Sequence, residues 1–347
     1  MLPGGDGGTA LVVVVGGFFG DEGKGKIAAY LGLVDNPAIA VRTGAVNAGH
    51  TVVFEGRTWR LRVVPSSFIN KKVVLAVAPG ALIRLDVFLK EVEETGVRDR
   101  MFVDMNTGVI EEKHVELEKR DSELAGAIGS TLQGVGYAMS DRVLRRLRLA
   151  KDFPELSPYV SDVPLLVNEA LDRGELVLVE GTQGAFLSLY HGTYPYVTSR
   201  DTTASAVLSE VGVGPTRVTD VILVFKSYVT RVGGGPLEGE LSPEDAEKLG
   251  LVEYGSVTGR RRRVALFNLK LAQRAVMLNS PTQIAITKLD ALFPDARCAR
   301  RWESLPRGAR EWVESIENAL RTPVTLLGTG ESVECVVDRR RDTGLLG

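Results

Sequence analysis

The chain has 347 residues, with 42 Lys and Arg against 44 Asp and Glu and a formal net charge of −2. Its 44% apolar and 25% charged residues are typical of a soluble globular protein. The near-neutral charge argues against a dedicated nucleic-acid or membrane-surface protein, and two cysteines are too few for a disulfide framework, so we expect a cytoplasmic protein without nucleic-acid or membrane partners.

The predicted elements begin with a flexible leader at 1–10 and a buried strand at 11–15, whose apolar run is too short for a signal peptide or a membrane span. A Gly-rich turn and the helical pattern KIAAYLGLV follow, as at the start of a parallel sheet. Further continuously apolar runs predict strands at 38–42, 73–77, 175–180, 218–225 and 282–288. Apolar residues recurring at threes and fours predict helices between them, as in 82–96 and 265–278. This alternation predicts an α/β fold with a mostly parallel central sheet and helices on both faces.

Two segments interrupt this alternation. Residues 51–64 consist of two alternating stretches around Glu55 and Gly56, which predicts a β-hairpin appended to the sheet. Residues 226–263 are irregular and end in four consecutive arginines, a composition suited to a mobile binding loop. Because the sequence has no Pro- or Ser-rich linker and no internal repeat, we predict a single domain over 1–347.

The segment 16–26, GGFFGDEGKGK, joins the first strand to the first helix, where backbone N–H groups and the helix dipole favour a phosphate. It departs from a Walker A motif, because five residues instead of four separate Gly17 from Gly23, and Gly25 replaces the usual Ser or Thr. Without that hydroxyl another oxygen has to hold Mg²⁺, and Asp21 is the candidate. Alternatively, the segment is a Gly-rich turn with solvated charges.

Asp21 is also a candidate general base, and His50 in VNAGHT is its acidic counterpart if the fold brings the two side chains together. The chain has only three histidines, and His50 lies in a string with Asn47 and two small residues. The competing interpretation is a histidine whose hydrogen bonds are purely structural.

Eight short strings point to a family when they are taken together. They are GDEGKGK at 20–26, NAGHT at 47–51, IGST at 128–131, EGTQG at 180–184, HGTYPYVTS at 191–199, YVTRVGGGP at 228–236, VTGRRRR at 257–263 and TKLD at 287–290. In this order they resemble the adenylosuccinate synthetase family, in its compact archaeal-type form, from Val12 to about Gly330. The resemblance implies a P-loop NTPase-like fold, a homodimer and a two-step reaction. The GTP γ-phosphoryl group moves to O6 of IMP, and the aspartate amine then displaces phosphate.

The resemblance assigns this chemistry to a few polar groups. Asp21 would take the N1 proton of IMP and lie beside Mg²⁺, for which the carbonyl of Gly49 would be a second ligand. His50 would stabilise charge on the transferring phosphoryl group, and Lys24 would neutralise the GTP phosphates. Gln183 completes the expected catalytic group.

The resemblance also implies a set of ligands for each substrate. The expected GTP ligands are Gly20, Glu22, Gly23, Lys24, Gly25, Lys26, Gly49, His50, Thr51, Arg262, Lys288, Asp290 and Gly330. The expected IMP ligands are Asp21, Asn47, Thr131, Arg145, Gln183, Thr198 and Arg260. The expected L-aspartate ligands are Val257, Thr258, Gly259, Arg260 and Arg262. Guanidinium groups suit the carboxylates of this last substrate.

Asp290 and Arg145 have the most specific implied roles. Asp290 ends TKLD, which resembles the NKxD element of GTPases, and would accept hydrogen bonds from guanine N1 and N2. Arg145 would cross the dimer interface to the IMP phosphate of the neighbouring subunit. Taken alone, TKLD is an ordinary strand end and Arg145 a solvated side chain. The chain departs from the family pattern at Phe18, Phe19, Tyr137, Met139, Val257 and Glu331.

Other classes of protein remain open. A GTP-binding regulatory switch would explain the phosphate loop and TKLD but would leave NAGHT, Gln183 and the arginine run without a use. A nucleic-acid-binding protein using Arg260–Arg263 would bind polynucleotides in a salt-sensitive way. An inactive paralogue with the same fold is a third alternative. Dependence on IMP discriminates the enzyme from the switch.

Overall fold

A mostly parallel sheet lies at the centre of this computed structural model, which describes residues 10–255, 259 and 261–345. The strands are β1 Leu11–Gly16, β2 Ile39–Arg42, β3 His50–Phe54, β4 Arg57–Leu61, β5 Val74–Val77, β6 Leu82–Ile83, β7 Met101–Asp104, β8 Gly108–Val109, β9 Val160–Ser161, β10 Val177–Glu180, β11 Asp220–Lys226, β12 Tyr228–Arg231, β13 Arg263–Leu266, β14 Gln283–Thr287, β15 Val324–Gly328 and β16 Val336–Asp338. The α-helices are α1 Lys24–Val34, α2 Leu85–Thr95, α3 Glu112–Arg120, α4 Val135–Val143, α5 Val163–Asp172, α6 Ala204–Val211, α7 Pro243–Lys248, α8 Leu269–Asn279, α9 Leu289–Leu292 and α10 Arg307–Leu320. The predicted strands are all present, and the α/β prediction is confirmed.

The central sheet of the described chain has ten strands in the order β16-β15-β14-β11-β1-β10-β2-β5-β7-β9. Every neighbouring pair is parallel except β15 with β16. On one side of β1, Val13 packs with Val167 of α5 and Val207 of α6. On the other side, Val14 packs with Ile27 of α1. Helices therefore cover both faces, which explains why this strand is apolar at consecutive positions.

The predicted hairpin is formed by β3 and β4, which pair in an antiparallel register. Its turn residues Glu55 and Gly56 have φ of 49° and 74°. Two positive φ values in succession are what a type I′ turn requires. β3 begins at His50 and packs against α1, so the hairpin brings His50 beside the phosphate loop.

Two predicted helices begin later than the apolar pattern indicated. The pattern at 265–278 starts inside β13, and the helix α8 starts only after Asn268. The Asn268 side chain accepts a hydrogen bond from the N–H of Leu271 at 3.0 Å and caps α8. The pattern at 82–96 likewise starts with the short strand β6. Apolar spacing alone does not reveal such boundaries.

The segment 226–263 contains more regular structure than predicted. It holds β12, α7 and β13, and β12 pairs with β13 in an antiparallel ribbon. The leader 1–9 and positions 256–258 and 260 lie outside the described residues. Among the residues that are described, every helix is too short or too polar to cross a membrane.

Candidate active site

A cleft of about 1100 Å³ opens where the loops after the parallel strands meet. Its walls include the segments after β1, β10, β14 and β15, the start of the hairpin and the loop between α7 and β13. The carboxyl ends of parallel strands are the usual place for ligands in open α/β sheets. The predicted site residues that line the cleft are Gly20, Asp21, Gly23, Lys24, Gly25, Lys26, Asn47, Gly49, His50, Thr51, Thr131, Gln183, Thr198, Gly259, Arg262, Lys288 and Gly330.

The remaining predicted residues either do not line this cleft or lie outside the described residues. Glu22, Arg145 and Asp290 do not line the cleft. Val257, Thr258 and Arg260 lie outside the described residues. Arg145 lies in an exposed turn after α4 at φ 62°, beside the exposed apolar side chains of Val143 and Leu144. Its guanidinium therefore belongs to the outer surface of this chain and not to the chain's own cleft.

The phosphate loop keeps its shape through contacts within the loop. Glu22 is buried and accepts hydrogen bonds from the N–H groups of Phe18 (3.0 Å) and Gly20 (2.8 Å). Its other oxygen lies 2.6 Å from Nζ of Lys24. Gly20 and Gly23 have φ of 88° and 83°, in the left-handed region that glycine adopts without strain. Glu22 thus supports the loop from inside, which explains why it does not line the cleft.

The glycine that replaces the Walker A hydroxyl residue has a steric reason in the structure. A Cβ atom added to Gly25 would lie 2.6 Å from Cβ of His50 and 3.1 Å from Oγ of Ser66. Close-packed carbon atoms do not approach to the first of these distances without displacement. The absence of a side chain at this position therefore allows His50 to pack directly against the start of α1.

His50 is held by a buried carboxylate that was not predicted from the sequence. Its Nδ1 atom hydrogen-bonds Oε1 of Glu180, which ends β10 and also accepts from N (2.7 Å) and Oγ (2.7 Å) of Ser66. Burial, together with the charge of nearby Arg42, lowers the pKa of His50 to about 4. The ring is therefore neutral near neutral pH and, by donating from Nδ1, leaves Nε2 as an acceptor. That Nε2 atom is buried and makes no hydrogen bond to any described residue.

Asp21 lies on the cleft wall and is engaged in an ion pair. It adopts φ 62°, is 23% exposed, and has Oδ2 at 2.9 Å from Nε of Arg262. Arg262 also pairs, through Nη1, with Glu253, a largely buried carboxylate that was likewise not predicted. Asp21 was expected to bind IMP and Mg²⁺, and Arg262 to bind GTP and L-aspartate, and the structure brings the two side chains into contact. Because a carboxylate has two acceptor oxygens, Asp21 can still accept a proton from a substrate while Oδ2 is paired.

Three residues predicted to bind IMP form one hydrogen-bonded cluster. Gln183, which follows β10 at φ 62°, donates from Nε2 to Oγ1 of Thr198 at 2.9 Å and to Oδ1 of Asn47 at 3.4 Å. Thr131 lines the same cleft. Amide and hydroxyl groups together present both donors and acceptors, which suits the polar edge of a purine base and its phosphate.

The predicted guanine side contains a carboxylate oxygen without a partner. Asp290 lies in the first turn of α9, and its Oδ1 is buried and makes no hydrogen bond to any described residue. Such an oxygen has lost its hydration without gaining a donor, which is rare in folded proteins. Lys288 precedes α9 and lines the cleft. This arrangement suits a ligand that supplies N–H donors.

Lys26 and a disulfide fix the loop around Gly330. Nζ of Lys26 donates to the carbonyl groups of Gly330 (2.5 Å) and Cys335 (2.7 Å), and burial lowers the pKa of Lys26 to about 7. Cys335 is bonded to Cys298, whose N–H donates to the carbonyl of Thr329 at 2.7 Å. The two cysteines were expected to form no disulfide framework, yet they form one bond across 37 residues. Two distant cysteines give no pairing signal in a sequence, so only the fold reveals the bond.

The cleft offers oxygen ligands that fit Mg²⁺ bound together with a nucleotide. Within the described part of the chain, no group of three or more His, Cys, Asp or Glu side chains could hold a metal ion by itself. Mg²⁺ at nucleotide sites usually takes one or two carboxylates and completes its shell with phosphate oxygens and water. The Asp21 carboxylate and the Gly49 backbone both lie on the cleft wall, and this donor set fits such a site.

Fold and site together define an α/β nucleotide-binding enzyme with one cleft for several small ligands. The family model for adenylosuccinate synthetase matches residues 13–153 and 147–297 of this chain. The chain belongs to the adenylosuccinate synthetase family.

Known relatives match nearly the whole chain. An adenylosuccinate synthetase from Archaeoglobus fulgidus is 50% identical over 331 residues, covering 95% of this chain and 98% of the relative. One from Pyrococcus horikoshii is 49% identical over 333 residues, with the same shares of 95% and 98%. The solved structure of a fully ligated adenylosuccinate synthetase from Plasmodium falciparum has the same fold, with a TM-score of 0.88 at 23% identity over 95% of this chain and 100% of that chain. A cyanophage S-2L succinoaminodeoxyadenylate synthetase bound to dGMP and dATP gives 0.80 at 27% identity over 97% and 98%.

Proposed function

We infer that this chain catalyses the GTP-dependent ligation of L-aspartate to IMP, which yields adenylosuccinate, GDP and phosphate. In the first step O6 of IMP attacks the γ-phosphorus of GTP and GDP leaves. In the second step the aspartate amine attacks C6 and phosphate leaves with O6. The observation that supports this most is one cleft lined by the phosphate loop, His50 and the cluster of Gln183, Thr198 and Asn47. A regulatory switch would need only the phosphate loop and the TKLD segment, and would leave His50 and the Gln183 cluster without a use.

Asp21 and His50 are the residues we propose for the first step. Asp21 accepts the N1 proton of IMP, and loss of that proton makes O6 nucleophilic. His50 is oriented by Glu180, and the negative charge of bound GTP favours its protonated form, which donates from Nε2 to the phosphoryl oxygens. Lys24 balances the charge of the phosphates. Mg²⁺, held by Asp21 and the Gly49 carbonyl, would supply further neutralisation of phosphate charge.

We propose a separate recognition element for each substrate. Asp290 reads guanine, and Lys288 lies along the base. The Gln183 cluster, with Thr131 and the phosphate loop, holds IMP. The loop 256–262 holds L-aspartate through Thr258, Arg260 and Arg262. The side chains of Gln183 and Arg262 on the cleft wall support the last two assignments.

We further propose a homodimer in the cytoplasm, without nucleic-acid or membrane partners. The exposed Arg145, flanked by exposed Val143 and Leu144, suits a residue that reaches a neighbouring subunit. The net charge of −2 disfavours polyanionic partners. Disulfides are rare in cytosolic proteins because cellular reductants cleave them, but intracellular proteins of hyperthermophilic archaea do contain them. The Cys298–Cys335 bond is therefore compatible with a cytoplasmic protein of that kind.

Phosphate release from GTP by the purified protein tests the function. The reaction is run with IMP and L-aspartate together and then with each omitted. We expect phosphate and adenylosuccinate to form in equal amounts only when both are present. Hydrolysis of GTP at the same rate without IMP would identify a switch-type GTPase and overturn the proposal.

A further inference from the structure

The hairpin β3–β4 turns one of its two faces toward the cleft. Successive side chains of a strand point to opposite faces, and Val52 and Leu61 are buried in the core on one face. The four side chains of the other face all line the cleft, and they are Thr51, Val53, Thr58 and Arg60. Arg60 is exposed and is the one charged side chain among these four. The hairpin therefore presents a guanidinium group to the cleft.

The hairpin register places Arg60 between the phosphate loop and the loop that follows β15. Arg60 stands directly opposite Thr51 in the antiparallel pair. On one side of Thr51 along the strand is His50, which packs against the phosphate loop. On the other side, the carbonyl of Val53 accepts a hydrogen bond from the N–H of Val333, in the loop after β15, at 2.8 Å. A nucleotide that extends from the phosphate loop to the proposed guanine side passes beside Arg60.

The phosphate loop itself contributes little net positive charge. Nζ of Lys24 lies 2.6 Å from the Glu22 carboxylate, so these two charges largely cancel. Nζ of Lys26 donates to two backbone carbonyl groups, and burial lowers the pKa of Lys26 to about 7, so only part of it is charged near neutral pH. A nucleoside triphosphate is a polyanion, and charge-assisted hydrogen bonds are its strongest contacts. A further cation beside the phosphates would therefore strengthen binding.

Arg60 is the cation on the cleft wall that still lacks a partner. The other Lys and Arg side chains that line the described part of the cleft each contact a carboxylate or a carbonyl group, and they are Lys24, Lys26, Arg231, Arg262 and Lys288. The guanidinium of Arg60 forms no hydrogen bond or ion pair with any described residue. Its N–H donors form a planar fork that matches the oxygens of a phosphate group.

We propose that Arg60 binds the α- and β-phosphates of the guanine nucleotide. Its place between the phosphate loop and the guanine side favours these two phosphates over the γ-phosphate that is transferred. Both are present in GTP and in the product GDP, so the contact strengthens binding without favouring the transition state. This inference rests on the proposed function, because the identity of the nucleotide comes from it.

Titration of GDP in the presence of Mg²⁺, followed by steady-state kinetics, tests the proposal. The proteins are wild type, Arg60→Gln, Arg60→Lys and the control Arg57→Gln. Arg57 is an exposed arginine of the same strand, but its guanidinium lies over the ring of Trp59 at 4.9 Å and it does not line the cleft. Wild-type protein that binds no guanine nucleotide would refute the proposed function, whatever the variants do.

We expect Arg60→Gln to weaken GDP binding about tenfold and to raise the KM for GTP by a similar factor, while kcat and the KM for IMP change less than about twofold. Arg60→Lys should recover part of the affinity because it keeps the charge, and Arg57→Gln should bind GDP as wild type does. Added salt should weaken GDP binding less in Arg60→Gln than in wild type.

Three results would overturn the proposal about Arg60. The first is equal GDP affinity in wild type and Arg60→Gln, including the case in which kcat or the KM for IMP changes instead. The second is an equal loss of affinity in Arg57→Gln, because the hairpin as a whole would then be responsible. The third is a loss in Arg60→Gln that Arg60→Lys does not reduce, because positive charge would then not be the cause.

Discussion

Two carboxylates hold different parts of the cleft wall, and they differ in what they contact. Glu180 ends a strand of the central sheet and holds one side chain, His50, while Ser66 and Arg42 occupy its remaining sides. Glu253 lies in a connecting loop and contacts cations from several segments. The first arrangement fixes a single geometry, whereas the second consists of ion pairs that can exchange partners. We therefore propose that the side assigned to phosphoryl transfer is rigid and that the side assigned to aspartate is adjustable.

Asp21 belongs to the phosphate loop and pairs with Arg262, and its loss should have the largest effect. Asp21→Asn keeps the size of the side chain but cannot accept the N1 proton of IMP. We expect turnover to fall by about 10⁴-fold, at the upper end for an acid–base group, with GTP binding still measurable by titration. Near-normal turnover by the folded variant would remove Asp21 from the mechanism.

Asp290→Asn tests whether Asp290, on the adjustable side, recognises the guanine base of GTP. Hydrogen bonds to a charged group are worth roughly 1.5–3 kcal/mol each, so losing two should reduce GTP use by about a hundredfold to ten-thousandfold. The amide can donate as well as accept, which matches xanthine, so the variant should gain preference for XTP. Asp295→Asn, at an exposed position shortly after α9, is the control. An unchanged ratio of GTP-supported to XTP-supported turnover would place the guanine site elsewhere.

Glu180→Gln weakens the support of His50 without changing a residue that contacts a substrate. The amide cannot stabilise a charged His50, so we expect kcat to fall about a hundredfold with little change in any KM. Ser66→Ala removes one of several hydrogen bonds to the same carboxylate and should lower kcat only a few-fold. A loss that appears in the KM for GTP instead of kcat would make His50 a binding residue.

Opening the disulfide tests the support of the Gly330 loop on the proposed guanine side. Of the four changes it has the smallest expected effect on turnover. Opening Cys298–Cys335 removes a closed loop of 37 residues and should lower the free energy of unfolding by about 2–4 kcal/mol. The KM for GTP should rise a few-fold, because the Gly330 loop loses its covalent attachment, while kcat is retained. Reduced wild type and Cys298→Ser should behave alike in thermal unfolding. Equal unfolding temperatures with and without reductant would show that the bond has no such role.

The local parts of the site were predictable from sequence. The phosphate loop is one continuous string between a strand and a helix, and its replacement of the Walker A hydroxyl by Gly25 was visible there. The reason for a glycine at this position was not visible in the sequence. It depends on Cβ of His50, which lies 2.6 Å from where a Cβ atom of residue 25 would be. Similarly, the hairpin turn at Glu55 and Gly56 follows from local backbone preferences.

Contacts between distant residues were not predictable. Glu180 lies 130 positions from His50, and no periodicity links the two. The family resemblance implied that Glu22 binds GTP, which stays a prediction. A sequence does not tell whether a loop carboxylate points outward or, as here, into its own loop. Helix starts such as the cap at Asn268 were missed because one side-chain hydrogen bond outweighs the apolar pattern.

Transfer of ¹⁸O from O6 of IMP to phosphate tests the central claim most directly. IMP labelled at O6 is incubated with the protein, GTP and L-aspartate, and the phosphate formed is analysed by mass spectrometry. The proposed reaction predicts one ¹⁸O atom in each phosphate, in an amount equal to adenylosuccinate, because O6 bonds to phosphorus in the first step and leaves with it in the second. Unlabelled phosphate, with its new oxygen taken from water, would contradict the assignment of this cleft to a ligase.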